Sequence, residues 1–373
     1  MGRIVLQPED EAKAEALAGD LFAACLATME LANVELGVRL GLYEALAGAG
    51  FTTPAELALS TGIAERYARE WLEQQAVAGV VEVEVEAEQA DAAEQTDAAE
   101  QKRRFKLPDA HAHVLIDDDS EACMKPCSAV VPWVGKALEI MVEEFRTGRG
   151  AAFGLFDLHD LQAAFTRPVF VNHLTQNWLP ALPELQAKLT AGEPVRVAEL
   201  GCGEGLAAVT IAAAYPNTTV DGYDLDEASI TVARAHAVSA GVHDRVHFEV
   251  LDVASETRVG EYDLVMAIEM LHDVPDPVGV LRSMKQLVGS TGTALVVDER
   301  TAESFAIPAT EMERFFYSFS TLHCLAVSLQ DGGAGTGTVM RADTMRRYAS
   351  EAGFSRVDVL DVDHPQFRLY RLS

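Results

Sequence analysis

Glycines, acids and one histidine in the C-terminal half of this 373-residue chain are spaced for chemistry. The stretch Val197-Ala-Glu-Leu-Gly-Cys-Gly-Glu-Gly205 ends one apolar run and opens another. Gly201, Gly203 and Gly205 let a backbone turn left-handed and bring amide N–H groups close to a ligand. The G-x-G-x-G spacing lacks the third-glycine placement of the dinucleotide fingerprint, so a pyrophosphate is not the expected guest. Glu199, just before the turn, would welcome a cationic group. Asp224 lies 23 residues after Gly201 at the end of the next strand, where an acid grips ribose hydroxyls. Asp252 follows the third strand and is placed for an adenine amino group. Together these positions predict a nucleoside site. His272 and Asp273 follow a fourth strand, and a histidine has the pKa range of a general base. Against that stands a helix-entry histidine that only bonds to backbone.

The elements that must hold these residues follow from periodicity. Strands are predicted at Val195–Leu200, Thr219–Tyr223, Val246–Val250, Asp263–Ile268 and Thr293–Asp298. Helices over Leu206–Tyr215, Glu227–Ala240 and Val278–Val288 alternate with them. That alternation predicts an α/β, doubly wound parallel sheet. Arg356–Asp361 and Gln366–Arg371 suit an antiparallel pair closing it. An acceptor pocket should lie over the strand C-termini, walled by the segment before the sheet and the one after its fifth strand. Phe315, Phe316, Phe319 and His323, with His173 and Trp178, are its candidate residues. Helical spacing makes a core role for each of them an equal alternative. Asp331–Gly337 reads as a loop.

The first 110 residues are mainly helical. Leu17, Leu21, Cys25, Met29, Ala32 and Leu36 mark one apolar face, and Val38 to Leu46 a second helix. Thr53-Pro-Ala-Glu56 is a capped helix start. Ala64–Ala78 is another helix, and Val80–Val85 a strand. This order is that of a winged helix-turn-helix. Residues 86–101 contain only Ala, Glu, Asp and Gln besides Thr96, which predicts a disordered acidic insertion in the wing. Residues 111–180 read as a helical connector, and 181–373 as the sheet domain.

The C-terminal region resembles the class I S-adenosylmethionine-dependent methyltransferases, a Rossmann-like fold. The resemblance covers roughly residues 180–373 and implies S-adenosyl-L-methionine as cofactor. It places Gly201, Cys202, Gly203 and Gly205 along the methionine moiety and Asp224 at the ribose, with Glu199 and Leu225 also on cofactor positions. Asp252 and Val253 would flank adenine, and Ile268 and Glu269 fall on further cofactor positions. Glu269-Met-Leu-His-Asp-Val-Pro-Asp-Pro277 is similar to the His-Asp-Trp-x-Asp segment of small-molecule O-methyltransferases with a winged-helix dimerisation domain. Leu40-Gly-Leu-Tyr-Glu-Ala-Leu46 resembles the Leu-Gly-Leu-Phe stretch of that domain. Across the whole chain the likeness is to actinobacterial winged-helix methyltransferases, through Arg66-x2-Arg-Glu-Trp71, Trp178-Leu-Pro, Leu271-His-Asp273 and Ser320-Thr-Leu-x-Cys324. The resemblance implies methyl transfer to a small secondary-metabolite acceptor, with an aromatic hydroxyl as one form. His272 would be the base and Asp273 its orienter or a helix cap. Val274 replaces the tryptophan, and Glu299 and Glu303 are the candidates for orienting the base. A cofactor-binding fold turned to a non-methylation reaction is the rival reading.

Bulk properties narrow the partners. The net charge of −29 should repel nucleic acid and anionic membrane. Residues 82–104 account for only −5 of it, so the acidity is general. The helix carrying Glu65, Arg66, Arg69, Glu70 and Glu73 is net acidic, which argues against a winged-helix regulator that binds DNA. A homodimer through the apolar first helix is expected instead. No run reads as the roughly 18 apolar residues of a membrane span, and the start is too charged for a secretory signal. Five scattered cysteines suit free thiols in a cytoplasmic protein. No metal is expected, because Cys123-x3-Cys127 after His111-x-His113 matches zinc patterns poorly.

Overall fold

The computed structural model describes residues 6–85, 103–255 and 258–373, and the expected insertion at 86–101 lies outside them. Two compact units divide the chain, Met1–Pro132 and Trp133–Ser373. The division falls inside the stretch read as a connector.

In the first unit, helices Pro8–Arg39, Leu42–Leu46, Pro54–Thr61 and Glu65–Val77 lead into antiparallel strands β1 (Glu82–Val85) and β2 (Arg103–Lys106). Thr53 and Glu56 form the expected reciprocal cap, with the Thr53 N–H donating to Glu56 Oε2 at 2.7 Å. Val38 belongs to the first helix, not the second, because Gly41 at φ 64 turns the chain between them. The core gathers Leu42, Tyr43, Leu57, Trp71, Leu72 and Phe105. The C-terminal end of the first helix is seated on it. Trp71 Nε1 donates to the Asn33 carbonyl at 2.9 Å, and a Cβ on Gly37 would lie 2.5 Å from the Trp71 ring. Farther up that helix Leu17, Leu21, Phe22, Leu26 and Met29 are exposed. Among the described residues this one helix is long and apolar enough to cross a membrane, which corrects the expectation that no such run exists.

The second unit is built on a seven-stranded sheet. Its strands are β3 (Val195–Leu200), β4 (Thr218–Asp224), β5 (Val246–Val250), β6 (Tyr262–Ile268), β7 (Val288–Glu299), β8 (Val357–Val359) and β9 (Phe367–Leu372), in the order β5-β4-β3-β6-β7-β9-β8. The first five are parallel, and β9 pairs antiparallel with both β7 and β8. This is the expected α/β, Rossmann-like doubly wound sheet with its antiparallel closure. Central strands such as Leu264 to Ile268 are buried along their length, as helices on both faces require. The winding reverses between β3 and β6, so a crevice opens at their C-terminal ends. Before the sheet, helix His159–Val169 continues as a π-helical stretch, Phe170–Trp178.

Candidate active site

The glycine turn leaves the end of β3 in left-handed backbone, with Gly201 at φ 68, Gly203 at 49 and Gly205 at 74. Each glycine is used differently. A Cβ on Gly201 would meet the Met270 side chain at 2.8 Å, and one on Gly205 would meet the Phe248 ring at 2.3 Å. A Cβ on Gly203 would meet nothing within 4 Å, so this is where the turn stands open. The Gly203 N–H donates to Asp224 Oδ2 at 2.8 Å, and the Asp226 N–H to Asp224 Oδ1 at 2.9 Å. One carboxylate thus ties the end of β4 to the turn. Burial raises its pKa, against those two hydrogen bonds. Glu199, 3% exposed, accepts from the Ala208 N–H at 3.1 Å. Burial pushes it up to about 8, that hydrogen bond opposing and the charge of Asp224 adding.

These groups line a cavity of about 680 Å³, the size of a small-molecule site. Glu199, Gly201, Cys202, Gly203, Asp224 and Leu225 stand on its wall, as do Asp252, Val253, Ile268, Glu269 and Asp273. Asp252 accepts from the Ala254 N–H and the Ser255 hydroxyl. Gly205 packs behind the turn rather than on the wall.

The six residues expected to form the acceptor pocket do not line this cavity. Phe319 stacks on Trp133 at 5.2 Å and packs with Phe315, while Phe316 is buried. His323 is fully buried among Phe153, Phe156 and Trp133, and burial lowers its pKa. Trp178 lies in the core against Phe170, His364 and Phe367, and His173 packs on His364. Helical periodicity cannot separate a core face from a pocket face: Trp178, Phe316 and His323 are core, whereas Phe315 is exposed. The expected segments do supply walls, through other residues. Gln162, Thr166 and Phe170 come from the helical stretch before the sheet, and Val327, Gln330 and Asp331 from the segment after β7. Their spacing at 162, 166 and 170 is one helical face, the signal that could have found them.

His272 and Asp273 part company. Asp273 lines the cavity, whereas His272 is 3% exposed and does not. The His272 Nδ1 lies 3.1 Å from both Asp298 Oδ1 and Glu299 Oε2, at the end of β7, and its Nε2 lies 3.3 Å from Asp273 Oδ1. Burial alone would disfavour the imidazolium. The attraction of Glu299, Asp298 and Asp273 outweighs it and holds the ring's pKa well above the ordinary value. Burial raises Glu299 well above the usual carboxylate range, while the pull of His272 overcomes burial at Asp298 and lowers it. Of the two candidate orienters, Glu299 reaches the ring and Glu303 instead pairs with Arg368 at 3.4 Å. Asp298 is the partner that the motif did not reveal. The ligand atoms of His272, Asp298 and Glu299 lie within 4.8 Å of one another, as do those of His272, Asp273 and Cys324. These metal-capable groupings draw on separate segments, so no local spacing could announce them. Cys123, Cys127, His111 and His113 belong to neither grouping.

Two family matches cover much of the chain. Residues 192–342 match the family described as a methyltransferase domain, and residues 24–116 the Rv2258c-like winged HTH domain. Among curated proteins, the chain is 36% identical over 135 residues to the ubiquinone biosynthesis O-methyltransferase of Paracidovorax citrulli, covering 36% of this chain and 52% of that protein. It is 26% identical over 204 residues to the enzyme of the same description from Aromatoleum aromaticum, covering 54% and 80%. The chain spans about half the length of most curated relatives it matches. Among solved structures, an O-methyltransferase family protein from Burkholderia thailandensis aligns with a TM-score of 0.66 at 18% identity, covering 95% of this chain and 97% of that one. Human N-acetylserotonin methyltransferase, solved in complex with SAM, aligns with a TM-score of 0.59 at 17% identity over 100% and 99%. At these identities the structural likeness establishes the fold.

Proposed function

Because the chain carries a methyltransferase domain behind an Rv2258c-like winged helix-turn-helix domain, we propose that it transfers a methyl group from S-adenosylmethionine to a small-molecule acceptor. The observation that carries this reading is Asp224, an acid at the end of β4, tied to the open turn at Gly203 on the wall of the cavity. The residues fit the cofactor. Asp224 keeps lone pairs for the ribose hydroxyls, Asp252 and Val253 flank the place for adenine, and Gly203 leaves room for close backbone approach. When bound, S-adenosylmethionine supplies a methyl group on a positively charged sulfur, open to in-line attack.

The chain's own work is positioning, water exclusion and proton handling. Phe153, Phe170 and Met270 give the wall apolar surface that sheds water. For a hydroxyl acceptor the proton goes to the Asp273 carboxylate, which stands on the cavity wall with Oδ1 3.3 Å from His272 Nε2. His272 acts through Asp273. As an imidazolium held by Asp298 and Glu299 it has no free base to offer, so it is a positioning residue rather than the base first expected. The test is product balance with a panel of hydroxylated acceptors. S-adenosylhomocysteine should appear in proportion to methylated product. Conversion of the acceptor without S-adenosylhomocysteine would mean that the fold serves another reaction.

We read the first unit as a dimerisation module. The exposed row Leu17, Leu21, Phe22, Leu26 and Met29 supports a second copy as its cover, since so much contiguous apolar surface is rarely left in water. A membrane would have to accept Asp20 and Glu30 inside the span, at a cost of about 2.5 kcal/mol or more for a charge at its centre. Light scattering should give twice the chain mass, and Leu21→Glu with Phe22→Glu should give the mass of one chain. A wild-type mass of one chain would refute the dimer. The free state of all five cysteines supports the cytoplasm as its compartment.

A further inference from the structure

We propose that the acceptor carries a positively charged nitrogen, received by the carboxylate of Glu269 on the cavity wall. The proposal rests on the methyl-transfer reading and narrows its substrate class. Among the described residues nine carboxylates line the cavity, and no lysine or arginine does. Most of those acids have work in the fold. Glu199 takes the Ala208 N–H, Asp224 ties the turn, and Asp226 and Asp276 cap helices at Ser229 and Gly279. Asp273 pairs with His272 at 3.3 Å, and Glu269 is left without such work. Glu269 is half-buried, and its Oε2 is a buried atom without a hydrogen bond.

Glu269 is also placed at a backbone cost. Its φ of 51 lies in the left-handed region, which glycine occupies readily and a glutamate occupies with strain. A carboxylate kept there with one buried, unpaired oxygen points to a ligand that pairs with it, because a buried polar atom left without a partner is costly. Burial pushes Glu269 up to about 8, so an incoming cation would also restore its ionised form. The glycine-turn side already has Glu199 and Asp224 for the cofactor, so Glu269, which the resemblance put on a cofactor position, is assigned here to the acceptor instead. Glu269 and Asp273 stand together after β6, next to Met270 and Val274, and give the remaining space its sign. A carboxylated or phosphorylated acceptor would meet a wall dominated by acids.

The experiment uses three matched probes on the full chain saturated with S-adenosylhomocysteine: tyramine, 4-hydroxyphenylethanol and 4-hydroxyphenylacetate. They share a phenol and differ in one group, which is cationic, neutral or anionic. Calorimetry should show tyramine binding about tenfold or more tighter than the alcohol, as a charge-assisted hydrogen bond predicts, and the acid weakest. Glu269→Gln should bring tyramine down to the level of the alcohol. Equal binding of amine and alcohol, including no binding of either, would overturn the proposal. So would a Glu269→Gln chain that keeps the amine's advantage. If the amine preference holds but no acceptor yields S-adenosylhomocysteine, methyl transfer falls and the charge preference stands. If turnover occurs without the preference, the reverse is true.

Discussion

Replacement of His272 by alanine should destabilise the second unit by about 3–5 kcal/mol, the cost of breaking a buried ion pair by removing one partner. Among the described residues the ring is the only cation paired with Asp273, Asp298 and Glu299, all of them buried. Without it Asp298, which the ring holds ionised, is left as a buried charge with no counter-ion. Urea titration followed by tryptophan fluorescence should show the lower midpoint. Adding Asp298→Asn to His272→Ala should recover part of the loss, since the second change removes the orphaned charge. A single variant as stable as the wild type would mean that the cluster carries no net charge pairing. Such a result would also remove the reason to deny His272 the role of base.

The second large effect is on pH. Glu199 and Glu269 stand at about 8 in the folded chain, against 4.5 for an ordinary glutamate. Between those values the folded state keeps protons that the unfolded chain releases, so stability falls as pH rises. Each group contributes a slope of up to about 1.4 kcal/mol per pH unit. His272 works in the same direction. Its folded pKa is raised, so its stabilisation is complete below an unfolded value of about 6.5 and is lost as pH climbs through the folded one. The surface acids do not confuse the comparison. Arg258 holds Glu249 low and Arg371 with Arg356 holds Asp358 low, so their contributions change only below the ordinary carboxylate range. The free protein should therefore be several kcal/mol more stable at pH 5 than at pH 8, with a correspondingly higher urea midpoint. Glu199→Gln should flatten the profile. A midpoint that rises toward pH 8 would contradict the burial of these acids.

What could be read from residues alone was what local chain chemistry encodes. The glycine turn, Asp224 and Asp252 declare themselves because strand ends and positive-φ positions leave marks in a few consecutive residues. The closing pair β8–β9 is legible for the same reason, as two short runs a few residues apart. The acceptor wall is not. Phe315, Phe319 and Trp178 repeat at helical spacing whether they face a ligand or a neighbouring helix, and only packing decides. The partners of His272 are hidden by distance along the chain. Asp298 lies 26 residues away, and β6 and β7 must pair in parallel before the two meet. The left-handed backbone of Glu269 had no signal at all, since glutamate is not a residue that marks such a turn.

We propose that the cavity at the ends of β3, β4 and β6 holds S-adenosylmethionine through Asp224. Calorimetric titration with S-adenosylhomocysteine tests it most directly. One molecule should bind per chain, with affinity falling about tenfold or more in Asp224→Ala and less in Asp224→Asn, which keeps one acceptor oxygen for the glycine turn. No binding to the wild-type chain, or equal affinity in Asp224→Ala, would rule out Asp224 as the cofactor's anchor.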